Sequence, residues 1–369
     1  MKVAFVMPGV GVVERGAEAF VVELAAALAE RHGVQPVVFS RGPAPLPHVP
    51  LRSLPRDNRF VNAVYSKTRL GRKALDTLFL DPLSLEWGTA AVAALPRLWR
   101  GGFDVVVMEG GLAGAWAARL LRRLRGVPFV DIAHGVDPKW EGAFARQKPN
   151  RVVTFTEAAA RMIRARAPRA RVAVIPHGID LERFRPGLPP AAAVGPLPRP
   201  LVLAAGALDA HKRFELTVDA VARMGEGSLA VLGDGPAAPA LDALAASRLG
   251  PGRYLRASVP RAEMPAWYAA ADCFTMPSFT ESFGLTYLEA MACGLPCVAP
   301  DDAVRREVIG EAGTFCAVAD PDAYAAALAE TLRRPWGDLP RRRAERFPFA
   351  ATARGYAELF AQVAAEAAP

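Results

Sequence analysis

Residues 186–200 read PGLPPAAAVGPLPRP. Proline fixes φ and lacks a backbone N–H, so a stretch this rich in it cannot continue a helix or a central strand. It reads as a linker over residues 187–199, and the pattern on either side decides the fold. Upstream, apolar runs fall at Val3–Met7, Val37–Phe39, Val105–Val107, Val127–Ile132, Val152–Phe155 and Val172–Ile175. Between the first two, Phe20, Leu24 and Leu28 repeat at helical spacing. Downstream, strand-like runs return at Leu201–Ala205, Leu229–Leu232, Cys273–Met276 and Cys297–Ala299, with helical segments between them. Alternation of this kind predicts α/β architecture with a parallel, doubly wound sheet on each side of the linker, joined by a hinge. A chain of 369 residues also exceeds one ordinary core. The expected organisation is a first domain over 1–186, a linker over 187–199, a second domain over 200–348 and a terminal helix over 349–369. In that helix Phe349, Ala353, Tyr356, Phe360 and Val363 form an apolar stripe that must bury against something, and the first domain is the expected partner.

Composition narrows the class. Hydrophobic residues make up 52% of the chain, and no run of eighteen apolar residues offers a membrane span. The opening run Val3–Met7 is short and lacks a small-residue cleavage site, so it reads as a buried strand rather than a signal peptide. Cys273, Cys293, Cys297 and Cys316 read as small core residues in a reducing, cytoplasmic setting. Gly294 and Pro296 interrupt the helix that would align Cys293 with Cys297, and no metal is expected. Charge is uneven. Residues 1–186 hold 28 Lys and Arg against 16 Asp and Glu, whereas residues 187–369 hold 17 against 21. The two halves therefore suit different partners.

The segment Ser278–Pro300, SFTESFGLTYLEAMACGLPCVAP, carries the chemistry. Glu281 sits in a loop after an expected strand, Gly284 allows close backbone approach, and Glu289 lies on the following helix. A helix start offers unpaired N–H groups and a positive dipole end, which suit a phosphate. Two carboxylates for hydroxyls around amides for phosphate fit a sugar nucleotide. Ligands of open α/β sheets bind beyond the carboxyl ends of the strands, so two such sheets facing each other would place the site in an inter-domain cleft.

The block Glu281-Ser282-Phe283-Gly284 through Glu289-Ala290-Met291-Ala292-Cys293-Gly294 resembles the hallmark of the retaining GT-B glycosyltransferases of family 4. Val174–Asp180, Ala270–Asp272 and Gly233–Pro236 resemble other segments of that family, which commonly has Asn where His177 stands. The resemblance covers nearly the whole chain, more loosely between about Pro43 and Arg100. It implies two Rossmann-like domains about a cleft, and sugar transfer from a nucleoside diphosphate sugar with retention and without a metal or other cofactor. It implies that Glu281 contacts donor-sugar hydroxyls and Glu289 the ribose, while amides around Phe283, Gly284, Leu285 and Thr286 take the pyrophosphate. Lys212, after the strand-end Gly206, matches the family lysine for phosphate. Ala207 stands where the family has Arg, so Arg213 or Arg15 is expected to supply that charge. Gly16 would turn its amide to the donor phosphate. His134, before Gly135 at a strand's carboxyl end, would lie near the reacting sugar, with Asp131 as its candidate partner. The stretch Arg256–Pro260, including Val259, is expected to meet the base.

Other functions could use the same residues. Gly9-Val10-Gly11 lacks the third glycine of a dinucleotide fingerprint, Glu14 standing in its place. Gly233-Asp234-Gly235-Pro236-Ala237-Ala238 fits the spacing, but Arg253–Val259 lies where an acidic ribose ligand is needed. A sugar-nucleotide epimerase shares the fold, and a binding protein without transfer activity would explain Ala207. The acceptor is expected from charge. Residues 56–73 interleave Arg56, Arg59, Lys67, Arg69, Arg72 and Lys73 with Phe60, Val61, Val64 and Tyr65, and Trp116–Arg125 repeats the pattern. Such segments suit an anionic membrane face and a lipid-linked or anionic acceptor. Nucleic acid is not expected, because no base-stacking or groove-reading motif accompanies the charge.

Overall fold

The computed structural model describes residues 1–13, 16–66, 80–108, 111–135 and 137–367. The sequence-derived candidates Arg15, Lys67, Arg69, Arg72 and Lys73 lie outside the described residues. The chain forms two compact units, 1–175 with 350–369, and 176–349.

In the first unit the described residues form a seven-stranded sheet. Its strands are β1 (Lys2–Val6), β2 (Gln35–Ser40), β3 (His48–Pro50), β4 (Val105–Met108), β5 (Phe129–Ile132), β6 (Arg151–Thr154) and β7 (Val172–Val174). Their order is β3-β2-β1-β4-β5-β6-β7 and every pairing is parallel. Val3–Val6 and Val105–Met108 are buried, which explains why they read as continuous apolar runs rather than alternating ones. Helix Gly16–His32 buries Phe20, Leu24 and Leu28 as its periodicity requires. Helix Phe349–Ala367 closes this unit: Phe360 packs edge-on to Phe5 at 6.0 Å, and Tyr356 lies 5.9 Å from Phe20.

In the second unit β8 (Leu201–Ala205), β9 (Ser228–Leu232), β10 (Tyr254–Ala257), β11 (Cys273–Thr275), β12 (Cys297–Pro300) and β13 (Gly313–Cys316) form a parallel sheet in the order β10-β9-β8-β11-β12-β13. Cys273, Cys293 and Cys297 are buried and all four cysteines are free; burial pushes the Cys293 thiol up to about 12.

The boundary differs from expectation. The chain leaves the first unit at Ile175, and the proline-rich stretch is not the hinge it was read as. It lies along the second unit, where Ala191 N–H donates to Ala266 O and Ser228 Oγ to Pro198 O. Residues 176–186 belong there too. Ile179 N–H donates to Phe347 O and Phe349 N–H to Ile179 O, and Arg341 Nη1 donates to Leu181 O and Phe184 O. Proline density marks where regular structure stops, not where a unit ends.

Candidate active site

In an open parallel sheet the loops at the point where strand order reverses form a crevice. In the second unit that point lies between β8 and β11, and the loops after them are residues 206–213 and 276–284. Three consecutive side chains of the first loop grip the second. His211 Nε2 lies 3.0 Å from Thr280 O, Lys212 Nζ pairs with Glu281 Oε1 at 2.6 Å, and Arg213 Nε donates to Pro277 O at 2.9 Å. The Phe279 N–H answers by donating to His211 O. The Lys212 stem runs past Gly206, where an added Cβ would lie 3.6 Å from its Cε. Lys212 and Glu281 are each largely buried yet keep a solvent-facing part, as a pair must if a ligand is to reach it.

Gly284 opens helix Leu285–Ala292 at φ +86°, a conformation that favours glycine. A Cβ there would also strike Tyr287 Cδ2 at 2.7 Å. No side chain caps this helix start, so the Leu285 and Thr286 amides are left for a ligand. Phe283 is held by its side chain. Its ring is buried between His177, at 5.4 Å, and Phe347, at 5.7 Å, so only its backbone can serve a ligand. Glu289, on the buried side of the helix, accepts from Tyr268 Oη at 2.9 Å and lies 3.6 Å from Arg261 Nη2. Burial and the adjacent carboxylate raise the Tyr268 pKa well above its ordinary value, so it stays a donor. Arg261 brings the loop after β10, which carries half-buried Val259, to the same helix. Arg256 is committed elsewhere, to both Asp242 oxygens at 2.9 and 3.0 Å.

The glycines of Gly233–Gly235 have a structural explanation. A Cβ at Gly233 would meet Gly206 O at 1.9 Å and one at Gly235 would meet Leu208 O at 2.5 Å. The two loops interlock, with Leu208 N–H donating to Asp234 O. The spacing that mimics a dinucleotide fingerprint serves loop packing.

In the first unit, helix Gly16–His32 begins at exposed Gly16. Phe20 of this helix packs edge-on to His134 at 5.9 Å, and Phe155 lies 5.3 Å from the same imidazole. His134 follows the carboxyl end of β5 and is half-buried; the Gly135 N–H donates to Glu141 Oε1. Asp131 is buried within β5. Nearby, Arg56, Tyr65, Asp81, Leu83, Asp137, Lys139 and Trp140 line an open cavity of about 620 Å³.

The chain matches a family profile described as "Glycosyl transferases group 1" over residues 199–334 and one described as "Glycosyltransferase Family 4" over residues 15–183. It is 35% identical over 300 residues to a D-inositol 3-phosphate glycosyltransferase of Frankia alni, covering 69% of this chain and 73% of that one. The chain belongs to the family 4 glycosyltransferases. It is also 30% identical over 285 residues to a GDP-mannose-dependent alpha-(1-6)-phosphatidylinositol monomannoside mannosyltransferase of Mycolicibacterium smegmatis, covering 69% of this chain and 74% of that one. Two solved structures share the GT-B fold: sucrose-phosphate synthase of Thermosynechococcus elongatus (TM-score 0.79, 21% identity, 99% of both chains) and Anabaena HepE (TM-score 0.75, 16% identity, 98% of this chain and 99% of that one).

One residue of this glycosyltransferase's site escaped the sequence reading. Arg305 is 1% exposed and sits behind the Glu281 loop. Its Nη2 donates to Ser278 O at 2.8 Å and Ser278 Oγ at 2.6 Å, its Nη1 pairs with Asp302, and its Nε has no hydrogen-bond partner. The only trace in sequence is its place three residues after the helix-capping Asp302, a spacing common to many solvated helix starts.

Proposed function

We propose that the chain transfers a sugar from a nucleoside diphosphate sugar to an acceptor hydroxyl, with retention at the anomeric carbon and without a metal ion. The bond from the anomeric carbon to the diphosphate breaks, a bond to the acceptor oxygen forms, and the diphosphate and the hydroxyl proton depart. The observation that carries this reading is the Lys212–Glu281 pair at the switch point, beside a helix start with uncapped amides. Lys212 and the Leu285 and Thr286 amides are placed to neutralise charge developing on the leaving diphosphate, which preorganised donors do without a metal. Glu281 is assigned to the sugar hydroxyls, Glu289 to the ribose and the Val259 loop to the base. From the first unit, His134 and the Gly16 amide are assigned to substrate binding. Retention rests on the family resemblance.

The names of two relatives, one acting on an inositol phosphate and one on a phosphatidylinositol mannoside, favour a phosphorylated polyol or its lipid-linked form as acceptor. The first unit's cavity suits one. Trp140, Asp137 and Lys139 bring an aromatic ring, a carboxylate and a positive charge to its wall, a mixture suited to a polyol that carries a phosphate. Its basic charge further suits work at a cytoplasmic, anionic membrane face.

Glu281→Ala and Lys212→Ala are each expected to lower turnover by about 10²–10³-fold, the scale of losing one preorganised group. NMR of the product made by the unaltered chain is expected to show the donor's anomeric configuration. Near-normal turnover in both variants overturns the site, and inverted product overturns retention. A second reading, nucleotide binding without transfer, is favoured by Ala207 together with the engagement of Arg213 by Pro277 O and the Phe279 ring. Thermal stabilisation by nucleoside diphosphates with no product from any acceptor would establish it.

A further inference from the structure

Five of the ten large hydrophobic side chains that stand exposed among the described residues lie on two helices of the first unit, Pro82–Arg100 and Gly111–Arg125. They are Val92, Trp99, Trp116, Leu120 and Leu124, with 40–66% of their surface open. On the second helix Trp116, Leu120 and Leu124 recur every fourth residue and so form one ridge, opposite the buried Ala115, Ala118 and Leu121. On the first, Val92, Pro96 and Trp99, four and three residues apart, form another. The ends of the two helices meet where the Arg125 guanidinium lies 5.2 Å from the Trp99 ring. Exposed Arg97, Arg100, Arg123 and Arg125 flank these ridges. The helices contain a single carboxylate, Glu86, and it is fully buried against Arg41 and Arg56. The outer face is therefore apolar and positive, with no negative group of its own.

We propose that this face docks on an anionic lipid bilayer, with Trp116, Leu120 and Leu124 entering the interface and the arginines meeting the headgroups. Aromatic and leucine side chains with basic flanks on a helix lying in the interface plane are the chemistry that anionic bilayers retain. A second copy of the chain is a poor occupant, because isologous pairing would set arginine against arginine. The inference rests on the reading of a lipid-linked acceptor and adds the surface that brings the first unit to it.

The test is flotation of the full chain with vesicles of 30% phosphatidylglycerol in phosphatidylcholine and with pure phosphatidylcholine. Binding is expected to the anionic vesicles and to fall with added salt. Trp116→Ser/Leu120→Ser/Leu124→Ser should lose binding by more than tenfold. Arg97→Gln/Arg100→Gln/Arg123→Gln should lose it by about five-fold per arginine at low salt. Both variants should keep the circular dichroism and donor binding of the unaltered chain, because neither touches the Lys212–Glu281 site. Binding equal to that of the unaltered chain in both variants overturns the proposal, as does no binding by the unaltered chain or a switch from dimer to monomer in the apolar variant. Vesicle binding by a chain that transfers no sugar would refute the transferase reading and leave the docking face standing.

Discussion

Arg305 shows how much one side chain can hold at this site. It is the buried cation behind the loop that carries Glu281, and it satisfies both the carbonyl and the hydroxyl of Ser278. Arg305→Met would leave those oxygens buried without donors, at a cost of about 1–3 kcal/mol for each unsatisfied group. Arg305→Lys keeps the charge but cannot span both oxygens as a planar fork does, so it should recover only part of the loss. Urea denaturation is expected to rank the three chains Arg, Lys, Met, with the donor KM rising in the same order as the loop loosens. Equal midpoints would show that the loop is held from the Lys212 side alone. Glu281, Gly284 and Glu289, which the sequence offers as site residues, belong to one dense local pattern, and Lys212 to a second around Gly206. Arg305, Tyr268 and His211 act through pairings between distant segments, and no local spacing announces these.

At the scale of elements, legibility followed burial. The central strands β1, β4, β8 and β11 are buried apolar runs and stand out in the sequence. Strands β3, β10 and β13 were missed: HVP, YLRA and GTFC are short, partly exposed and lie at sheet edges, where no continuous apolar run is required. Strand β10 is instead pinned by charge. Hydrogen bonds from Arg256, with a further one from Tyr254, hold the Asp242 carboxyl below the ordinary carboxylate range, against the opposing effect of burial. A carboxylate depressed on folding adds stability above its unfolded pKa of about 3.9, and that contribution fades as pH falls through the lower folded value. Asp242→Asn should therefore destabilise the second unit near neutral pH, and its stability should converge with that of the unaltered chain as pH falls through the lowered folded pKa. Parallel stability curves across that range would mean that the pair does not couple to folding.

At the scale of the whole molecule, the decisive feature is that the first unit is built from two separated pieces of chain. Sequence periodicity revealed the stripe of the terminal helix and its start at Phe349, whereas the boundary at Ile175 depends on backbone pairings that leave no compositional mark. Tyr356 and Phe360 are fully buried in the first unit. Tyr356→Ala and Phe360→Ala are each expected to cost about 3–5 kcal/mol, read as a lowered first-unit transition in calorimetry. Removing residues 350–369 should abolish that transition and leave the second unit's in place. A truncated chain that keeps both transitions would contradict this account. The same discontinuity orders events on the ribosome. At roughly 5–20 residues per second, the first sheet emerges on the order of ten seconds or more before the helix that covers Phe5 and Phe20 exists. The second unit can finish folding in that interval while the first waits with an apolar face uncovered. Any stop in synthesis between residues 349 and 356 would release a polypeptide whose later half is complete and whose earlier half is not, a natural client for chaperones and proteases.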